Sequence, residues 1–85
     1  MDKTRLIEHN NVTMNDKKRL KNLGLNIKVL RIKQELSQED LAERVKISRN
    51  SISLIETGKI NPTILKVLDI ANALNVDLNT LINDI

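Results

Sequence analysis

The sequence predicts an all-α domain, a compact set of five short helices, and three observations lead there. None of the 85 residues is Phe, Tyr or Trp, whereas sheets draw heavily on aromatic side chains. From Leu23 onward Leu and Ile recur at three- and four-residue steps, the period of a helix with one buried stripe. Helix-start residues (Ser37, Ser48, Asn61-Pro62, Asp77) stand before the later stripes, and Gly58 and Asn75 stand after two of them.

The first helix is expected over 23–34, with Leu23, Ile27, Leu30 and Gln34 on one side, and Glu35-Leu36 ends it. Ser37 with Asp40 three residues on has the form of a capping box, which opens a second helix over 38–45. Lys46-Ile47 leads to Ser48, an N-cap candidate for a third helix over 49–57, and Gly58 supplies its stop. Pro62 at a first helical position starts the fourth helix, 62–74, with Ile64, Leu65, Leu68, Ala71 and Ala73 or Leu74 expected inward and Asn75 as its C-terminal cap. Asp77 caps a last short helix over 78–82. Residues 1–22 carry no sustained stripe and read as a basic extension, mobile or holding a short accessory helix near Lys17–Lys21. The domain proper is then 23–85.

Composition excludes several function classes. No apolar run is long enough to span a bilayer, and the N-terminus lacks the apolar region of a signal peptide. Cys is absent, which removes disulfides, thiolate chemistry and Cys-based zinc sites and favours a reducing cytoplasm. The single histidine, His9, has no second His or Cys to build a metal site with, and two glycines make no phosphate-cradling loop. With no nucleophile–base constellation, no enzyme and no cofactor are expected. Net charge is +3, and it is polarised: residues 1–22 hold six Lys/Arg against three acids, whereas 60–85 hold one against three. A polyanion would prefer the first half of the chain.

Two short helices joined by a tight turn, 38–57, have the form of a helix-turn-helix. The small Ala42 suits the steep crossing, and Leu41, Val45, Ile47, Ile52 and Ile55 supply apolar residues from both helices and the turn. Turning the third helix by about 100° per residue puts Ile52 and Ile55 on one side and Arg49, Asn50 and Ser53 on the other, with no acid among the three. Arg can bridge guanine O6 and N7, and Asn can bridge adenine N6 and N7, each at about 1–3 kcal/mol of discrimination.

These residues carry a resemblance. Leu23-Gly24, Leu36-Ser37-Gln38-Glu39-Asp40-Leu41-Ala42, the Ser48 to Lys59 pattern with Ile52, Ile55, Glu56 and Gly58, Asn61-Pro62 and Ala73-Leu74 together resemble the lambda-repressor-like, Cro/C1-type (Xre-family) DNA-binding domain. The resemblance covers 23–85 and implies that fold. It implies base reading by Ser48, Arg49, Asn50, Ser53 and Leu54, phosphate contact by Gln38, which also braces a recognition side chain, and phosphate contact by the loop from Lys59 to Asn61. It also implies an ion pair of Arg31 with Glu56 that holds the first helix to the third. Two positions depart from the family, which has Gly at the turn and after the first helix where this chain has Lys46 and Glu35. A Lys46 at positive φ costs about 1–2 kcal/mol but sets a positive charge near the phosphates. Leu54 suits either a thymine methyl or the edge of the core.

The function this implies is sequence-specific binding of double-stranded DNA by a transcription regulator, a repressor most often. One copy makes few base contacts, so a homodimer on a palindrome is expected, with half-sites about 34–36 Å apart. Val76, Leu78, Leu81, Ile82 and Ile85 are the candidate dimer surface. The basic extension could add phosphate contacts or reach a minor groove. The alternative is an antitoxin or anti-repressor on the same fold, docking a protein partner through residues 1–22. A further alternative is the DNA-binding piece of a longer regulator.

Overall fold

The computed structural model describes residues 14–85. Its elements are α1 (Met14–Lys33), α2 (Gln38–Val45), α3 (Arg49–Glu56), α4 (Ile64–Ala73) and α5 (Leu78–Leu81), with no strand among the described residues. The all-α expectation therefore holds there. Residues 1–13, with His9, lie outside the described residues.

α1 starts at Met14, well before the expected Leu23. Residues 14–22 are thus two added turns of the first helix and not a separate accessory helix. Leu20 is half-buried and extends the Leu23–Ile27 stripe back by one step, and Asp16 and Arg19 pair across one turn at 3.6 Å. Four lysines and arginines in five residues (17–21 hold Lys17, Lys18, Arg19 and Lys21) mask that stripe in the sequence. At the other end the helix closes through Glu35 at φ 58°, with the Leu36 amide donating to the Arg31 carbonyl at 3.1 Å.

α2 and α3 form where their caps place them. The Ser37 hydroxyl accepts from the Asp40 amide at 2.9 Å, and the Asp40 carboxylate accepts from the Ser37 amide at 2.9 Å. That second bond holds the Asp40 carboxyl below its ordinary range. Ser48 caps α3 by accepting from the Ser51 amide at 3.0 Å. Between the two helices Lys46 takes the left-handed conformation, φ 64° and ψ 44°. After α3, Gly58 does so at φ 72°.

α4 differs from expectation in its start and in its face. Thr63, not the Asn61-Pro62 step, opens it: the Thr63 hydroxyl accepts from the Lys66 amide at 3.2 Å, which leaves Pro62 outside the first turn. The residues turned to the core are Val67, Ile70, Ala71 and Leu74. Ile64, Leu65 and Leu68, expected inward, are 61%, 69% and 42% exposed. Both sets obey helical spacing and share Ala71, so periodicity alone does not choose between them; packing against α2 does. Asn75 at φ 58° ends α4 as expected, with the Val76 amide donating to the Ala71 carbonyl at 3.0 Å.

The core gathers around the fully buried Ile27, Leu41, Ile52, Ile70, Leu74 and Leu81. Burying one such side chain is worth about 1.5–3 kcal/mol. Asn26 ties α1 to the end of the chain by donating to the Leu81 and Asn83 carbonyls at 2.8 Å each. This anchoring alters the reading of the candidate dimer residues. Leu81 is fully buried and offers nothing to a partner, and Val76, Leu78, Ile82 and Ile85 are half-buried against the same core.

Candidate nucleic-acid interface

α2 and α3 pack on one another around Leu41, Ala42, Val45, Ile52 and Ile55, all buried, with Ile47 half-buried in the turn. The core side of α3 is therefore the one the sequence predicts. On its opposite side Ser48, Arg49 and Asn50 are exposed and Ser53 and Leu54 half-buried. Neither Arg49 nor Asn50 has a partner among the described residues, so their donors are unspent. Ser48 differs: its hydroxyl caps the helix and lies 2.9 Å from the Ser51 hydroxyl, which occupies it structurally. Leu54 keeps part of its side chain at the surface. An α-helix about 10–12 Å across fits a major groove about 12 Å wide.

The orientation of α3 is set at its far end by a buried cluster. The Arg31 Nε donates to Glu56 Oε2 at 2.6 Å and its Nη2 to Oε1 at 3.0 Å, a bidentate pair. The third arm, Nη1, donates to the Leu36 carbonyl at 2.8 Å. Gln38 Nε2 donates to Glu56 Oε1 at 3.0 Å. The pair is thus present as the resemblance implies, and Gln38 joins it, which links the starts of α2 and the end of α3. One Gln38 N–H is spent there, and the second is left to donate elsewhere.

α1 touches the same end of α3. A Cβ at Gly24 would stand 2.4 Å from the carbonyl oxygens of both Ile55 and Glu56. Glycine is therefore required in the middle of a helix, where it is otherwise unfavourable by about 1 kcal/mol. That cost is itself a readable signal of close approach, though not of its partner. The cations flanking the polar side of α3 are Lys46 in the turn and Lys59 after α3, both exposed, with Asn61 exposed beside them. The candidate base-reading and phosphate-facing residues thus lie on consecutive elements, 38–61. Two turns of α1 carrying Lys17, Lys18 and Lys21 lie against the same loop, a juxtaposition the sequence did not reveal.

A helix pair crossed in this way, with its second member braced from behind and its polar side unspent, defines the class of helix-turn-helix DNA-binding domains. Residues 27–81 match the helix-turn-helix family model HTH_3, and the chain belongs to that Cro/C1-type family of DNA-binding transcription regulators, which are not enzymes. An uncharacterized HTH-type transcriptional regulator of Archaeoglobus fulgidus is 38% identical over 52 residues, 61% of this chain and 73% of that protein. The immunity repressor protein of Bacillus phage phi105 is 29% identical over 62 residues, 73% of this chain but 43% of the repressor.

Solved structures agree. The restriction-modification controller protein C.AhdI from Aeromonas hydrophila superposes with a TM-score of 0.71 at 31% identity, covering 73% of this chain and 94% of C.AhdI. An HTH_3 family transcriptional regulator from Vibrio cholerae gives 0.75 at 27% identity over 81% of this chain and 39% of that one. No helix among the described residues is long and apolar enough to cross a membrane.

Proposed function

We propose that the protein is a sequence-specific, double-stranded-DNA-binding repressor of transcription that reads a palindromic operator as a homodimer. One observation carries this: Arg49 and Asn50 stand exposed at the start of α3 with no partner among the described residues. Arg49 is assigned to a guanine and Asn50 to an adenine, with Ser53 and Leu54 reading further into the groove and Ser48 held mainly as the cap. Gln38, Lys46, Lys59 and Asn61 grip phosphates on either side. Repression follows the phage immunity repressor, and dimerisation follows from the few base contacts one copy makes. The cytoplasm, where its DNA would lie, is the assigned compartment. Of the candidate dimer residues, Val76, Leu78, Ile82 and Ile85 keep some surface for a partner and Leu81 keeps none.

The test is a DNA-binding assay with Arg49→Ala and Lys59→Ala on duplexes selected from a random pool. Arg49→Ala should cost about 1–3 kcal/mol on the selected site and flatten preference among sequences; Lys59→Ala should weaken all duplexes alike and make the salt slope shallower by about 1. Indistinguishable behaviour of the two variants would refute the assignment of α3 as the reading helix.

A further inference from the structure

We propose that the first two turns of α1 form a second phosphate-binding surface, through Lys17, Lys18 and Lys21, which extends the DNA contact beyond the helix-turn-helix. This rests on the DNA-binding reading above. The three lysines lie within an arc of about 100° on the helix, with Lys17 and Lys21 one turn apart. Together with Lys59 and Asn61 they line one open groove of about 520 Å³ between α1 and the loop that follows α3. All four lysines are exposed, and none is paired with a carboxylate among the described residues. The nearby acid, Asp16, is turned to Arg19 on the other side of the helix.

The position of this surface is fixed, not incidental. Gly58 sits against the α1 backbone at Lys21: a Cβ there would stand 2.8 Å from the Lys21 Cα and N and 2.7 Å from its Cγ. Helix and loop are thus in backbone contact at the point where the lysines gather. On the inner side Leu23 and Ile27 hold α1 in the core. A cation cluster so placed is continuous with Lys59 and Asn61, the loop assigned to the phosphates, and a duplex seated on α3 brings its backbone to that loop. Four like charges held together, none paired with an acid among the described residues, are stabilised by a polyanion, whose contact releases counterions. Met14, Leu20 and Ile60 add apolar lining to the groove, so an acidic amphipathic peptide is the competing occupant. Continuity with the reading surface favours DNA.

The test uses the full chain and a selected duplex, with binding followed by anisotropy across a salt series. Changing Lys17, Lys18 and Lys21 together to Gln should make the slope of log K against log salt shallower by about 2–3, at about 0.9 per phosphate. The ranking of base-substituted duplexes should stay as it is. The corresponding triple change to Arg should retain the slope, and trimming the duplex flanks should weaken the wild type but not the Gln variant. Helical content by circular dichroism confirms that these exposed changes leave the fold intact. An unchanged slope in the Gln variant overturns the proposal, whatever acidic partner the groove then takes. Failure of the wild type itself to prefer the selected duplex over a scrambled one overturns the DNA-binding reading instead, so the two failures are distinct.

Discussion

Replacing Gly24 by Ala sets two effects of opposite sign against each other. In the interior of an exposed helix the change stabilises by about 1 kcal/mol, because Ala is the better helix former. Here the added Cβ would lie 2.4 Å from two backbone carbonyl oxygens of α3, where ordinary contact begins at 3.4 Å. The helices must part by about 1 Å, and neither obstacle is the free end of a side chain. Overpacking of this kind costs about 1–3 kcal/mol. The upper end applies, because the Arg31–Glu56 pair spans the same interface and its 2.6 Å bond lengthens with it.

The expected net loss is about 2 kcal/mol. For a domain of this size that lowers Tm by about 8–16 °C. With no aromatic residues, intrinsic fluorescence is of no use and the melt is followed by far-ultraviolet circular dichroism. Leu25→Ala on the exposed side of the same helix, at 56% exposure, should stay within about 0.5 kcal/mol of the wild type. A Gly24→Ala protein that melts at or above the wild-type temperature refutes the close crossing of α1 over the end of α3.

Three further outcomes are expected. Arg31→Met leaves the Glu56 carboxylate buried with only Gln38 as donor and should cost about 3–5 kcal/mol in urea unfolding, most of it recovered in Arg31→Met/Glu56→Leu; a single-variant loss under about 1 kcal/mol contradicts the buried pair. Lys46→Gly relieves a left-handed backbone and should stabilise by about 1 kcal/mol, while making the salt slope of DNA binding shallower by about 1. Finally, the Ser37 amide lowers the Asp40 carboxyl and the Thr80 amide lowers that of Asp77. A carboxyl depressed in the folded state stabilises fully above its unfolded value, and that contribution is lost as pH falls through the folded value. Melting temperature should therefore drop in acid, and Asp40→Asn/Asp77→Asn should flatten that limb; an acid limb of unchanged steepness removes the caps from the explanation.

What could be read from the sequence was local. The bounds of α2, the starts of α3 and α5, and the stops at Gly58 and Asn75 each depend on side chains within a few residues of the backbone they satisfy, whereas the left-handed Lys46 came only from the family resemblance. The exposed polar side of α3 was legible for the same reason, since Ile52 and Ile55 fix its opposite. Where the answer depended on distant neighbours, spacing fell short. The stripe of α4 had two solutions, and α2 selected Val67, Ile70 and Leu74 over Ile64, Leu65 and Leu68. The first turns of α1 looked unstructured because cations crowd them, and their support is the loop at Gly58, far away in sequence. The tether from Asn26 to the Leu81 and Asn83 carbonyls had no signal at all, and it draws in the apolar residues that looked free for a partner.

The Glu56 carboxylate receives three hydrogen bonds from two residues on two other helices. A side chain so clamped has one rotamer, and the helix that carries it has one tilt. The placement of the α3 backbone is therefore set in the free protein, whereas the exposed Arg49 and Asn50 side chains would still lose rotamer freedom on binding. A duplex bound at this face would meet a helix already set in place, so association would be governed by encounter and long-range attraction, and the lifetime of the complex by the few contacts made at the tip.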